Sequence, residues 1–256
     1  MRFDPPLTSA RFVRRYKRFF VDAVLPDGAT LVAHCPNTGT LLGCLVEGAE
    51  VAFAPASDPG RKLRWTWKMI RVGDAWVGVD TGIAPALVAE AIATGVVPEL
   101  GGYARVISEV KYGAAQGSRI DLLLARGGEQ PVGLKPTALS RALWEGEERV
   151  YVEVKNTTLR LDGKGSRLAA FPDAVTERGL KHLHELMHVV DTGHRAAMVF
   201  SVQRGDCEAF TPADDIDPKY GAALRKAVKH GVEIYALAAT LTPDAATLTT
   251  RLPIHL

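Results

Sequence analysis

The feature that most constrains this chain is a change of texture near residue 84. Before it, apolar residues come in short runs broken by turn residues, without a helical period. After it, helix-like and strand-like segments alternate. "FFVDAVLPDGATLVAHC" predicts two strands joined at Pro26-Asp27-Gly28, "EVAFAPAS" a third, and "LRWTWKMIRVGDAWVGVD" a pair turning at Gly73-Asp74. About five short strands without a helix suit a small closed β-barrel, of which the oligonucleotide-binding OB type is one common form. Residues 1–84 are therefore expected as an OB-like barrel, and residues 85–256 as a mixed α/β domain.

In the second part, "APALVAEAIATG" and "DPKYGAALRKAVKHG" predict helices. "PDAVTERGLKHLHELMHVVDTG" predicts a longer one, entered at Pro172-Asp173 and stopped at Gly193. "YARVISEVKY" and "SRIDLLLARG" predict strands meeting near Gly113 to Gly117, "RVYVEVKNTTL" a third strand and "RAAMVFSVQR" a fourth, with one or two more in the tail. From Gly127 to Arg149 runs a polar connection with one helical turn at "ALSRALWEG".

Composition excludes several classes. A chain of 256 residues buries a core without staples. Its three cysteines, Cys35, Cys44 and Cys207, are odd in number and lack C-x-x-C spacing, which suits a reducing compartment, with cytoplasm the default, and argues against a cysteine-built metal site. "MRFDPPLTSARF" has no apolar secretory core, and no run of about 18 apolar residues exists, so neither export nor membrane spanning is expected. Net charge is only +2, yet five of the eight residues in "RFVRRYKR" are basic, interleaved with Phe12 and Tyr16. Together with Lys62, Arg64, Trp65, Trp67 and Lys68 they could form a barrel face that joins phosphate charge to base stacking. Alternation sends half of those aromatics into the core, so the candidate DNA contacts are the basic run itself: Arg11, Arg14, Arg15, Lys17 and Arg18.

"YVEVKNTTLR" carries a carboxylate and an ammonium inside an otherwise apolar strand. Glu153 and Lys155 are two apart and therefore share a face. Such a pair on a strand surface is commonplace and worth about 0–1 kcal/mol, but in a buried strand unpaired charge is costly. Asp121, in "SRIDLLL", lies on the strand upstream, and if the two strands pair it can face Glu153 across the ladder. Two carboxylates so close call for a cation between them, and Mg2+ (or Mn2+), held by carboxylates, waters and phosphate oxygens, is the usual answer. Lys155 could then orient or deprotonate a water, or neutralise transition-state charge, which points to phosphodiester hydrolysis.

The order Asp, then Glu-x-Lys on a neighbouring strand, then a long helix, resembles the PD-(D/E)XK nuclease superfamily. More closely, "AHCPNTGTLLG", "SRIDLLL", "YVEVKNTTL" and "FPDAVTERGLKHLHEL" look like signature stretches of the sugar fermentation stimulation protein family, SfsA. The resemblance spans nearly the whole chain. It implies an N-terminal OB-like domain joined to a nuclease-type domain with a mixed central sheet, bound to DNA, single-stranded or duplex. Asp121, Glu153 and Lys155 match the superfamily's metal and catalytic positions, with Asp121 and Glu153 as metal ligands. Glu109, Ser118 and Arg119 match family stretches without a settled role, while Arg178, Lys181 and His182 would approach phosphate from the long helix. The family also implies an alternative, a non-enzymatic DNA-binding regulator of sugar-utilisation genes that keeps the fold as a platform. The 127–149 connection departs from the short hairpin expected there and reads as a surface insertion.

A rival motif is "HELMH", which fits the H-E-x-x-H zinc-protease pattern with His184 and His188 as ligands, Glu185 as base and His194 at the extended position. Asp191 stands where the extended motif needs glycine, and no methionine follows Met198. The same helix has an ordinary apolar stripe in Leu180, Leu183, Leu186, Met187 and Val190. "CPNTG" reads first as a tight turn and second, by the resemblance, as a binding or interdomain loop.

Overall fold

The computed structural model describes residues 1–58, 60–112, 118–126, 148–163 and 166–256. It is a mixed α/β protein with an N-terminal OB-like barrel. The barrel strands are β1 (Thr8–Tyr16), β2 (Phe20–Val24), β3 (Thr30–His34), β4 (Glu50–Pro55), β5 (Trp65–Val72) and β6 (Ala75–Gly78). They run in the order β3-β2-β1-β4-β5-β6, and a parallel bridge from His34 to Thr66 closes β3 onto β5. Gly28 adopts the left-handed φ of +86° that the β2–β3 turn requires. Trp67, fully buried, stacks on Phe12 with ring centroids 5.6 Å apart at the centre of the barrel core.

The basic run lies partly in a strand, with Arg11, Arg14 and Arg15 on β1. Ala10 and Phe12 of β1 point inward, then a bulge shifts the β1–β2 register between Phe12 and Arg14. Beyond the bulge Arg15 faces the buried Val21, so its side chain enters at the barrel's end instead of leaving it. Lys17 and Arg18 form the hairpin tip, both with positive φ.

The rest of the chain supplies α1 (Ala84–Ala93), β7 (Arg105–Tyr112), β8 (Ser118–Ala125), β9 (Arg149–Thr157), β10 (Leu159–Gly163), β11 (Ser166–Phe171), α2 (Glu177–Asp191), β12 (Arg195–Val202), β13 (Ala209–Pro212), α3 (Pro218–Lys229), β14 (Glu233–Thr242) and β15 (Ala245–Arg251). The main sheet has the order β15-β14-β12-β9-β8-β7, with β9, β12 and β14 parallel and its remaining neighbours antiparallel. The period of two divides each strand between two cores. Val150, Val152 and Val154 pack towards α1 with Leu87 and Val199, while Met198 and Phe200 pack with Leu183 and Leu186 of α2 and Leu224 of α3. Glu153 and Lys155 alternate with the three valines and so lie on the α2 face. A small sheet, β10-β11-β13, extends from the end of β9.

Helix α2 starts at Glu177, five residues later than the entry expected at Pro172-Asp173. Thr176 is the N-cap, its hydroxyl accepting from Gly179 N at 3.0 Å. Asp173 is diverted to the barrel, as described below. The barrel also docks through β6: Gly78 N–H donates to the Gln203 carbonyl at 2.8 Å, and Lys68 pairs with Asp80, whose carbonyl accepts from Gln203 Nε2 at 3.2 Å. The expected hairpin turn at 113–117, and the 127–149 connection with its helical turn, lie outside the described residues apart from Glu148 and Arg149, the latter opening β9.

Candidate functional site

The β8–β9 ladder runs from Ala125↔Arg149 to Leu122↔Val152 and stops there. The next pair in register would be Asp121 and Glu153. At that point the strands part, and Asp121 Oδ2 accepts the Val154 N–H at 2.7 Å in place of a ladder bond. On its other side, β8 pairs with β7 at Leu122↔Ser108 and Ile120↔Val110, but the intervening pairing of Asp121 with Glu109 is missing. Glu109 there adopts φ +59°, a sparsely populated conformation for a side-chain-bearing residue. The hairpin is thus distorted at the position that frees Asp121 from both neighbours.

Glu153 is 2% exposed and Lys155 Nζ lies 2.8 Å from its Oε1. His182, buried on α2, places Nδ1 against the same Oε1 and 3.1 Å from Lys155 Nζ. With Nδ1–H donating to Glu153, Nε2 is left to accept from Arg178 Nε at 3.4 Å. Burial pushes the Glu153 carboxyl up, but the His182 hydrogen bond and the Lys155 charge outweigh it and hold it below the usual range. Asp121 moves the other way: burial, then the Glu153 charge, raise it to about 7 against the pull of Val154 N–H and Lys155. Glu153 keeps its charge and Asp121 gives way.

Of the other anticipated side chains, Arg178 joins Glu153 and Lys155 in lining one cavity, whereas Lys181 is exposed and pairs with Glu185 at 3.6 Å. Ser118 donates to Glu185 at 2.7 Å. Arg119 sits 3.9 Å from Glu109, both more than half exposed. In the "HELMH" stretch Glu185 is thereby turned to Ser118, His184 and His188 are exposed, and His194 packs on the Tyr151 ring. Among the described residues no three His, Cys, Asp or Glu side chains assemble a metal cage, there or elsewhere. Tyr112, not anticipated from sequence, is buried beside this acidic cluster. Its hydroxyl is held above the usual range by burial and then by Glu153, Glu185 and Asp121.

The cavity, about 350 Å3, has a second wall from the barrel, formed by Asn37, Thr38 and Gly39. Three devices fix that loop. Asn37 Oδ1 accepts from Gly39 N at 2.8 Å; Arg15 donates to the Asn37 carbonyl at 2.7 Å; Asp173 Oδ2 accepts from Leu41 N at 2.9 Å and lies 3.1 Å from the Thr40 hydroxyl. Gly39 is required by the approach, since a Cβ there would sit 2.7 and 2.8 Å from the Asp173 carboxylate oxygens. The Gly39→Ala variant is therefore expected to lose about 1–3 kcal/mol of stability, the usual range for overpacking. A lower midpoint in denaturant unfolding checks it, and an unchanged midpoint would mean that Asp173 does not clamp this loop. The sequence offered one signal for the wall, the Pro-Asn-x-Gly turn, and none for its partner Asp173, which reads as a helix start.

The two halves correspond to known domains. Residues 13–79 match the SfsA N-terminal OB domain, and residues 82–245 match the sugar fermentation stimulation protein RE domain. The chain belongs to the sugar fermentation stimulation protein family. Curated family members include the sugar fermentation stimulation protein homologs of Geobacter metallireducens, 47% identical over 257 residues covering all of both chains, and of Rhodospirillum centenum, 48% identical over 244 residues covering 95% of each. Among solved structures, that of Pyrococcus furiosus SfsA in complex with Ca2+ superimposes with a TM-score of 0.81 at 26% identity, over 100% of this chain and 98% of that one.

The family's OB domain presents the basic run unevenly. Arg14 is exposed but tied to Asp22 at 2.7 Å, Arg11 is exposed beside the Gly48 carbonyl, and Lys17 and Arg18 stand exposed at the tip. Arg15 is the correction to the expected DNA face: it donates to the carbonyls of Arg18, Asn37 and Thr40, and so holds a loop. Trp67 is core, and Lys68 is occupied by Asp80. No helix among the described residues is long and apolar enough to cross a membrane, and none of the three cysteines is joined in a disulfide.

The donor set suits a hard divalent cation. Glu153 Oε2 is buried without a hydrogen-bond partner, and the neighbouring Asp121 carboxyl resists ionising beside it. Two carboxylates, with waters and substrate oxygens completing the shell, is the pattern by which Mg2+ is usually held.

Proposed function

We propose that this family member binds DNA and hydrolyses phosphodiester bonds, using Mg2+ or Mn2+ held by Asp121 and Glu153. The observation that carries the reading is the pair of carboxylates brought onto one face where β8 leaves β9, with an unpartnered buried oxygen and an ammonium beside it. The cation, when bound, lowers the pKa of a coordinated water and offsets charge on the phosphoryl group. Glu153 fixes Lys155 by its 2.8 Å contact, so that the ammonium can orient the attacking water or neutralise the phosphate oxygens as charge builds. His182 holds the same Glu153 oxygen beside Lys155, and Arg178 backs the imidazole and offers a guanidinium to the phosphate. Support for a divalent ion also comes from the Pyrococcus furiosus relative, described in complex with Ca2+.

The test is incubation of the pure protein with single-stranded, duplex and branched DNA, with Mg2+, Mn2+ or chelator, beside the Lys155→Ala variant. Metal-dependent cutting by wild type alone is expected. Equal cutting by both proteins, or none on any substrate, removes the hydrolytic reading, and tight binding without cutting leaves a DNA-binding platform.

DNA docking has its own expected result. Replacing both Lys17 and Arg18 by Glu should weaken DNA binding at moderate salt by about tenfold or more and flatten the salt dependence, since two phosphate contacts are lost. Arg15→Ala should instead lower the unfolding midpoint, because its guanidinium is spent on loop carbonyls. Anisotropy titrations over a salt series check the first, and an unchanged slope would move the docking face off the hairpin tip.

A further inference from the structure

The cavity at the carboxylates takes one wall from each half of the chain: Asn37 and Thr38 from the barrel, and Glu153, Lys155, Arg178 and His182 from the α/β sheet and α2. Asn37 is 6% exposed and is held from three directions, by its own turn to Gly39, by Arg15, and through the next residues by Asp173. Its Oδ1 and its carbonyl are both occupied, whereas Nδ2 has no protein acceptor among the described residues. The residue is held rigidly while its amide nitrogen stays open to the cavity, which leaves that donor free for a ligand that brings an acceptor. The cavity carries both signs. Asp121, Glu153 and Asp173 line it, and so do Lys155, Arg178 and the start of α1 at Ala84 and Pro85, where the helix offers its positive end. An anion is therefore taken together with a divalent cation that offsets the carboxylates.

We propose that Asn37 is a substrate-contacting residue, its Nδ2 donating to a phosphate oxygen of a nucleotide lodged beside Glu153 and Lys155. The barrel thereby supplies part of the phosphodiester site as well as a docking face, and Arg15 and Asp173 act as positioning residues for that contact. This rests on the phosphodiester reading above.

The test uses the full chain with Ca2+, so that binding is read without turnover, and thymidine 3′,5′-bisphosphate as the probe, followed by calorimetry. Asn37→Asp keeps the acceptor that Gly39 N needs but replaces the donor with a negative charge facing the phosphate. Its affinity for the probe is expected to fall by about tenfold or more, with an unchanged melting temperature. A second reading needs no variant: in 15N-labelled wild type, the Asn37 side-chain amide resonances should shift on adding the probe. Equal affinities in wild type and Asn37→Asp, an unmoved Asn37 amide, or a wild type that does not bind the probe would each overturn the proposal. Failure of hydrolysis is read separately, because a wild type that binds the probe through Asn37 yet cuts no DNA loses only the catalytic reading.

Discussion

Lys155→Ala is expected to lose metal-dependent DNA cleavage by about 10^3-fold while binding DNA within about threefold of wild type in Ca2+. The size follows from what is removed. The ammonium is mostly buried, 13% exposed at its side chain, and lies 2.8 Å from Glu153 Oε1 and 3.1 Å from His182 Nδ1, so its position is fixed before substrate arrives. A preorganised charge in a water-poor site costs no reorganisation in the reaction, and deletion of one such donor typically removes about 10^2–10^3 in rate. A share in proton transfer would add to that. Binding should barely change, since the exposed charges at the barrel tip are untouched. Lys155→Arg is the sharper control. A planar guanidinium cannot replace a compact ammonium wedged between Glu153 and His182, so restoration of less than about a tenth of the rate is expected. Full activity in either variant would show that Lys155 is an ordinary ion-pair partner of Glu153. Single-turnover rates beside anisotropy in Ca2+ separate the two effects.

Legibility in the sequence followed the physics of each element. β9 could be read because its valines alternate with Glu153 and Lys155, and the pleat alone puts the two charges on one face. Asp121 was conditional on register, and the structure brings it to Glu153 by ending the ladder at Leu122↔Val152 rather than by continuing it. Periodicity carries no signal for a place where pairing stops, nor for the left-handed Glu109 opposite. The strand β1 was hidden because three basic residues mask its alternation and a bulge inverts it, so that Arg15 reads as a surface charge but acts as a clamp. The short strands β10, β11 and β13 fall where sequence offers little period to count. Asp173 misled most, since Pro-Asp before a helical pattern is a start signal, whereas its carboxylate serves a loop more than 130 residues away in the chain. Contacts between distant segments are what a local pattern cannot show.

In the absence of divalent cations, stability is expected to fall as pH rises from 5 to 8, and Asp121→Asn should remove most of that fall. The Asp121 carboxyl stands at about 7 in the folded protein against 3.8 as the ordinary value, raised first by burial and then by Glu153. Between those values the folded chain holds a proton that the unfolded chain has released, so each step up in pH favours unfolding; below about 4 both states are protonated, and above about 7 the loss is complete. At 1.36 kcal/mol per pH unit the interval corresponds to about 4 kcal/mol, and water reaching the half-buried carboxyl brings it to about 2–4. Glu153 works in the opposite sense, since a carboxyl held below its ordinary value of 4.5 stabilises the fold above that value and loses the effect only in acid, so from pH 5 upward the change belongs to Asp121 alone. Asparagine keeps an oxygen for the Val154 N–H and cannot ionise, which isolates the charge. A cation bound at the two carboxylates must displace the Asp121 proton, so its affinity should climb through pH 7 and its addition should restore stability at pH 8 but hardly at pH 5. Denaturant midpoints at pH 5, 6, 7 and 8, with chelator and with Mg2+, provide the measurement. The same slope in wild type and Asp121→Asn would show that Asp121 is not the group that yields, and with it would go the electrostatic reason for a cation at this site.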